Sequence, residues 1–274
     1  MTASSSSAST NEPILLVDVA DRVATLALHR PDARNALSRA LMFALWDAVL
    51  AAGDDPDVDA VVLTGADPAF CAGLDLKEVA GEVPASAPPR EPGKGPERDT
   101  NGLYRFLPVI EKPIIGAING VAVTGGLEIA LQCTFLVASE RARFADTHAR
   151  IGIMPGGGIT VLMAQSIGIR RAIELSLTGN FLSAEDALRF GLVNHVVPHD
   201  ELLDAARGLA RDIVSNDQHG VRRLLRHYRQ IANAATLDEA HLIEGYMAET
   251  WPLSRDDVGK RRFDVVARGR EQST

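Results

Sequence analysis

Cysteine, lysine and aromatic residues are scarce in this chain of 274 residues. Its two cysteines, Cys71 and Cys133, lie among apolar residues at a spacing that fits no metal site. We therefore expect reduced, buried thiols, with neither a disulfide framework nor a structural metal. The net charge of −8 argues against a nucleic-acid surface, which needs clustered Lys and Arg.

Long apolar runs are also missing, and none reaches the length of a membrane-spanning helix. The segment MTASSSSASTNEP has neither the basic start nor the apolar centre of a secretory signal. We expect residues 1–12 to form a disordered tail on a cytoplasmic protein without a membrane partner. A hydrophobic fraction of 46% and a charged fraction of 23% are typical of a globular chain.

The pattern along the chain predicts two kinds of structure. Short β-branched runs first alternate with helical patterns in the order β-β-α-β, and from Arg170 the pattern is almost entirely helical. We predict an α/β core over residues 13–195 and a helical region over 196–274. The segment 81–102, rich in Pro, Gly and charge, predicts an exposed, mobile loop that acts as a lid or a surface insertion.

The stretch Pro113–Cys133, PIIGAINGVAVTGGLEIALQC, is the most informative. It predicts a strand, an Asn-Gly turn, a glycine pair and a buried helix with one acid, Glu128. The free N–H groups at such a helix start favour a negatively charged oxygen, and Gly125 has no side chain to block its approach. An oxyanion beside a carboxylate suits chemistry on a carbonyl compound. Taken alone, the stretch also fits an ordinary glycine-rich turn.

Three glycine-bearing junctions recur after predicted strands, at Gly73, Gly125 and Gly156–Gly158. No Gly-Lys-Ser/Thr follows them, which excludes a P-loop, and no G-x-S-x-G nucleophile elbow occurs. A G-x-G-x-x-G fingerprint is missing after the first strand, which disfavours a dinucleotide fold. Backbone N–H groups and carboxylates remain as the chemical tools.

Five segments in a fixed order carry a family resemblance. They are HRPDARNAL (His29–Leu37), FCAGLDLKE (Phe70–Glu78), INGVAVTGGLEIAL (Ile118–Leu131), FADTHARIGIMPGGG (Phe144–Gly158) and LTGNFLSAEDALRFGLVNHVV (Leu177–Val197). The set resembles the crotonase (enoyl-CoA hydratase/isomerase) superfamily, closely over Pro13–Val197 and more loosely over the helical tail. The resemblance implies an α/β fold with a crotonase-type ββα spiral core. It also implies a C-terminal helical trimerisation region, hence a homotrimer or hexamer.

The resemblance assigns binding positions. In this superfamily two backbone N–H groups form an oxyanion hole for the thioester oxygen of an acyl-CoA, and the matching residues are Leu74 and Gly125. Further positions match segments that contact CoA: Ala33, Arg34, Ala72, Asp75, Leu76, Lys260 and Phe263. For the last two, a solvated cation and a packed aromatic fit equally well.

The catalytic positions depart from the family pattern. Hydratases of this superfamily use two Glu side chains to position water and move a proton. Glu128 matches the first, but His148 holds the position of the second, and we expect its neighbour Asp146 to be structural. His148 could act as acid or base, or be a spectator that orients Glu128 or fills space. It could also mark a site that has lost hydration.

The reaction that the resemblance implies is addition of water to a 2-enoyl-CoA thioester in fatty-acid/acyl-CoA metabolism. Coenzyme A would enter as part of the substrate, and neither a metal nor a redox cofactor is implied. The alternatives are an enoyl-CoA isomerase or another one-base reaction of the superfamily, and a non-catalytic acyl-CoA binding protein.

Overall fold

The structure is a computed structural model that describes residues 12–91, 94–98, 104–252 and 254–271. Residues 1–11 of the predicted tail and 92–93 and 99–102 of the predicted loop lie outside the described residues. The chain separates into two compact units, the first ending at Arg222 and the second beginning at Arg223. No helix in the described ranges combines the length and apolar character needed to cross a bilayer.

The strands of the described chain belong to the first unit. They are β1 (Leu15–Ala20), β2 (Val23–Leu28), β3 (Ala60–Gly65), β4 (Ala69–Cys71), β5 (Glu97–Arg98), β6 (Tyr104–Arg105), β7 (Ile114–Ile118), β8 (Val121–Val123), β9 (Phe135–Ser139), β10 (Arg143–Ala145), β11 (Leu182–Ser183) and β12 (His195–Val197).

Helices follow most strands and form the regular structure of the described residues after β12. They are α1 (Arg39–Asp54), α2 (Leu76–Val79), α3 (Gly125–Gln132), α4 (His148–Ile151), α5 (Ala164–Ile167), α6 (Ile169–Thr178), α7 (Ala184–Phe190), α8 (Leu202–Val214), α9 (Gln218–Ile231), α10 (Leu237–Glu249) and α11 (Arg255–Glu271). A π-helical turn over Ile159–Met163 leads into α5.

The strands form two principal sheets. The larger has the order β1-β2-β3-β7-β9-β12 and is parallel except for the β1–β2 hairpin. The smaller has the order β11-β10-β8-β4, with β4, β8 and β10 parallel. The chain passes three times from the larger sheet to the smaller one and into a helix: β3-β4-α2, β7-β8-α3 and β9-β10-α4. This is the ββα repetition that the resemblance predicts.

The central strands β3, β7 and β9 of the larger sheet are buried on both faces, which explains their largely apolar sequences. In β3, Val61 and Leu63 join one apolar cluster while Ala60 and Val62 join the other, as the alternation of side chains in a strand requires. Helices α1 and α3 pack into the first cluster. Helix α8 contributes Leu202, Ala206 and Ala210 to the second.

Local signals place several element boundaries. Strands β1 and β2 form an antiparallel hairpin, with Leu15 opposite Leu28. Helix α1 begins after Ser38, whose Oγ accepts the N–H of Leu41 and so caps the helix. Gly53 lies within the last turn of α1, which runs to Asp54. Packing requires a glycine at position 53, because a Cβ there would lie 2.7 Å from a methyl carbon of Ile110.

The described part of the predicted loop packs against α1. The Glu78 carboxylate accepts the N–H groups of Arg39 and Ser86, so the acid caps the start of α1 and holds the loop together. Further along, Arg90 makes two hydrogen bonds of 2.5 and 2.6 Å to the Asp47 carboxylate. The loop is therefore anchored at two places on one helix.

Gly126 fixes the approach of α3 to β4, so its substitution provides a stability test. A Cβ there would lie 2.8 Å from the Cβ of Cys71 and closer still to the Cys71 carbonyl oxygen. We expect Gly126→Ala to lower the free energy of unfolding by about 3 kcal/mol, measured by urea denaturation.

The matched control is Gly208→Ala in α8, where the nearest atom to the new Cβ is 3.9 Å away. Alanine should stabilise that helix by about 1 kcal/mol. Equal unfolding midpoints for the two variants would contradict the packing constraint at Gly126.

Candidate active site

In each of the three ββα units the second strand leads into the helix, and these three junctions lie side by side. Strands β4, β8 and β10 are parallel neighbours, so their carboxyl ends meet at one edge of the smaller sheet. Leu74 lies between β4 and α2, Gly125 begins α3 directly after β8, and His148 begins α4 after β10. Three predicted site residues that are far apart in sequence therefore lie at equivalent places on neighbouring strands.

The amide groups of Leu74 and Gly125 belong to adjacent turns. A Cβ on Gly125 would lie 3.5 Å from the Leu74 nitrogen. Leu74 forms a bridge with Leu37 in which its two neighbours make the hydrogen bonds: the Gly73 carbonyl accepts the Leu37 N–H, and the Asp75 N–H donates to the Leu37 carbonyl. Because successive N–H groups of an extended segment point in opposite directions, the Leu74 N–H points away from Leu37. The Gly125 N–H is in the first turn of α3 and has no intrahelical acceptor. Both amides can therefore donate to one external oxygen.

Thr124 adopts an unusual backbone conformation immediately before this amide. Its φ of 53° and ψ of −113° are strained for a β-branched residue. Hydrogen bonds hold it there: its N–H donates to the Ala145 carbonyl, and its hydroxyl is 2.6 Å from that of Thr147. The turn that presents the Gly125 N–H is thus bonded to the segment that leads to His148.

Glu128 is buried in the first turn of α3, with only 3% of its surface exposed. Burial raises the pKa of this carboxyl; hydrogen bonds from the Gly157 backbone and the nearby His148 charge only partly oppose that rise. The Gly157 N–H donates to Oε1 at 2.7 Å, while Oε2 faces the His148 ring. One oxygen is therefore anchored and the other is directed into the site.

His148 lies opposite Glu128 and is also buried. Its Nε2 is 3.9 Å from Glu128 Oε2, which is too long for a direct hydrogen bond but close enough for one small molecule to contact both. Its Nδ1 lies 2.6 Å from Asp146 Oδ1. The structure brings together the two side chains predicted to be catalytic.

Asp146 connects His148 to a third helix. Its second oxygen, Oδ2, accepts the hydroxyl of Ser176 in α6 at 2.6 Å. Burial alone would raise the pKa of Asp146, but hydrogen bonds from His148 and Ser176 outweigh it and hold the pKa below its usual value. The carboxylate is therefore ionised near neutral pH.

Most residues predicted to bind CoA lie on two segments near Leu74 that hydrogen bonds join to each other. The Ala72 N–H donates to the Arg34 carbonyl, and Arg30 donates to the Asp75 carboxylate at 3.0 Å. Ala33 ends the short 3₁₀ turn before Arg34, and the Leu76 side chain is 48% exposed at the start of α2.

Lys260 and Phe263 lie on α11 in the second unit, and both side chains are exposed. Their contact with CoA stays a prediction.

Two residues to which the sequence assigned no role, Gly157 and Gln132, support the site through hydrogen bonds. Gly157 donates to Glu128, and its cluster carried a signal, since three successive glycines precede an apolar helix. Gln132 accepts the N–H groups of Phe106 and Leu107 and donates to the Gly157 carbonyl. It lies at the end of α3 without any local pattern that marks it, so only the tertiary structure reveals this role.

The cysteines and one further polar cluster lie outside this chemistry. Burial raises the pKa of Cys71 and of Cys133 to about 12, which keeps both thiols protonated. Ser139, His199 and Asp67 are joined by two contacts of 3.0 Å, but Ser139 is fully buried and cannot act as a nucleophile. Among the described residues, no group of three or more His, Cys, Asp or Glu is arranged to hold a metal ion.

Comparison with known proteins identifies the family. The enoyl-CoA hydratase/isomerase family model matches residues 18–259. The probable peroxisomal enoyl-CoA hydratase 1 of Arabidopsis thaliana is 41% identical over 202 residues, covering 74% of this chain and 73% of that protein. The crotonyl-CoA hydratase of Syntrophomonas wolfei is 35% identical over 209 residues, covering 76% and 78%.

Solved structures agree with the sequence comparison. The enoyl-CoA hydratase of Mycobacterium tuberculosis H37Rv is 49% identical, with a TM-score of 0.71 over 86% of this chain and 98% of that one. This likeness confirms the crotonase fold class predicted from the five segments, within which Leu74, Gly125 and Glu128 occupy adjoining turns. The chain therefore belongs to the enoyl-CoA hydratase/isomerase family.

Proposed function

We propose that this protein is an enoyl-CoA hydratase, which adds water across the double bond of a 2-enoyl-CoA in fatty-acid/acyl-CoA metabolism. The observation that carries the proposal is the convergence of two free N–H groups, Glu128 and His148 at one sheet edge. Relatives named as enoyl-CoA and crotonyl-CoA hydratases support the reaction class.

The paired amides would bind the thioester oxygen. Attack of water at the β-carbon moves negative charge onto that oxygen, so donors already aimed at it stabilise the transition state more than the substrate. Backbone N–H groups fixed by β4 and α3 need no reorganisation for this role. Leu74 and Gly125 are the donors that we assign.

Glu128 would hold the water and take its proton. Its Oε1 is anchored by the Gly157 N–H, and Oε2, which faces the His148 ring, would accept from the water. Because burial raises its pKa, the carboxylate is a stronger base than an exposed Glu. Hydrogen bonds from the Gly157 backbone and the nearby His148 oppose part of this rise in pKa.

His148 would supply the second proton. As water bonds to the β-carbon, Glu128 gains one proton, and the imidazolium gives its Nε2 proton to the α-carbon. Transfer from Glu128 back to His148 then restores both groups, and the product has gained one H and one OH. The separation of 3.9 Å allows a bridging water to carry that last proton.

The replacement of the family's second Glu by His148 also favours a second candidate, an enoyl-CoA isomerase that moves a double bond with one base. Such an enzyme would shift the double bond without adding water, so product mass separates the two reactions. A non-catalytic acyl-CoA binding protein would leave the substrate unchanged in the same assay.

We propose that the protein is cytoplasmic and assembles as a homotrimer or a hexamer, with Lys260 and Phe263 contacting CoA. Exposed apolar side chains in the second unit support assembly, since Leu242 and Tyr246 on α10 are 75% and 66% exposed. Sedimentation velocity would measure the number of subunits.

Glu128→Gln tests the hydratase proposal. The amide cannot accept the proton of water, so we expect kcat for a 2-enoyl-CoA to fall by about 10²- to 10⁴-fold. Loss of the conjugated-thioester absorbance measures the rate, over short, long, branched and polycyclic acyl chains.

Glu140→Gln makes the same change at an exposed position and should keep the wild-type rate. If wild type and Glu128→Gln are equally inert on every chain length while both bind acyl-CoA, the hydratase proposal is wrong.

Substitutions of His148 test the second proton. We expect His148→Ala to lower kcat about 100-fold, because the α-carbon then lacks its acid. His148→Glu should also stay below wild type, since a third carboxylate would face Asp146 and Glu128 and be repelled by both. Stopped-flow measurement of one turnover reports the chemical step. An unchanged rate in His148→Ala would make His148 a spectator, and a large gain in His148→Glu would reverse the electrostatic reasoning.

A further inference from the structure

We propose that Asp146, anchored by Ser176, is a positioning residue that fixes the proton of His148 on Nδ1 and directs Nε2 to the reacting carbon. The inference rests on the proposed function for its catalytic consequence. Its geometric part concerns the imidazole alone and can be measured without substrate.

The contacts of Asp146 determine which ring nitrogen carries the proton. Oδ1 lies 2.6 Å from His148 Nδ1 and also accepts the His148 backbone N–H at 3.1 Å. An ionised carboxylate only accepts hydrogen bonds, so the contact with Nδ1 requires a proton on that nitrogen. In the neutral ring Nε2 is then unprotonated, and in the imidazolium its proton is directed toward Glu128.

Ser176 fixes the rotation of the carboxylate. Its hydroxyl donates to Oδ2 at 2.6 Å, so both oxygens of Asp146 are engaged. Asp146 is 1% exposed, which leaves little water to compete for either oxygen. The serine comes from α6, a different element from the Asp146–His148 segment. Two independently anchored parts of the chain therefore define the ring position.

The charge of Asp146 completes the role. Within the described residues, the carboxylates within 4.0 Å of the His148 ring are Asp146 on its own segment and Glu128 from α3. The polar neighbour from α6, Ser176, is uncharged and reaches Asp146. An ionised Asp146 stabilises the imidazolium that gives its proton to the α-carbon, and it does not itself exchange a proton.

Asp146→Asn separates charge from orientation. The His148 backbone N–H still needs an acceptor, so the amide oxygen should stay on that side while the amide NH₂ donates to Ser176. We expect kcat to fall about 10- to 100-fold with little change in KM. Asp186→Asn, the same change at a half-buried position on α7, should move neither kcat nor KM.

A double-mutant cycle tests whether Asp146 acts through His148. In a His148→Gln background, Asp146→Asn should produce no further loss of kcat. Ser176→Ala gives a second variant with the charge retained, and its loss should likewise disappear in that background. Equal effects of Asp146→Asn in both backgrounds would overturn the positioning role.

Imidazole ¹⁵N NMR of the free protein tests the geometry without any turnover. Wild type and Asp146→Asn should show the neutral His148 ring protonated on Nδ1, whereas Asp146→Ala should show a mixture of tautomers. A wild-type ring protonated on Nε2 would overturn the inference even if hydration is observed. If every enoyl-CoA is inert but the Nδ1 proton is present, the proposed function fails and the geometric part of the inference stands.

Discussion

The backbone conformation of Thr124 is the constraint on which the site depends. A β-branched residue at positive φ costs about 1–3 kcal/mol, and it persists only when its surroundings hold it. Here the bonds to Ala145 and Thr147 do so, joining the end of β8 to the end of β10. The same bonds direct the Gly125 N–H outward and start α3 so that Glu128 faces His148. The strained conformation of Thr124 thus fixes the relative positions of groups from two ββα units.

Repetition of the ββα unit explains how backbone amides, a carboxylate and an imidazole are brought to one site. Each repeat ends its second strand at the same edge, and the residue found there differs: a free amide at Leu74, an amide followed by a buried acid at Gly125, and an imidazole at His148. Parallel pairing of β4, β8 and β10 places these tools at neighbour-strand spacing. The fold therefore provides positions, and local sequence decides the chemistry at each.

Features that depend on residues close in sequence could be predicted, whereas features that depend on residues distant in sequence could not. Ser38 as a helix cap and the strand–turn–helix around Glu128 were predictable, because their signals lie within a few residues. The anchor of Asp146 was not, since Ser176 is 30 residues away and sits in an ordinary amphipathic helix. Asp146 itself was expected to be only structural. Its contact with His148 depends on the turn into α4, a helix of four residues that no periodicity could indicate.

The burial of the Glu128–His148 pair has a consequence for the ionic composition of the medium. Mobile ions screen charges that lie in water, and at physiological salt they do so beyond about 8 Å. Glu128 and His148 are only 3% and 5% exposed, so dissolved ions cannot come between them. Arg34 and the neighbouring loop surface are open to solvent. Salt should therefore act on the capture of a charged substrate and leave the proton transfers almost untouched.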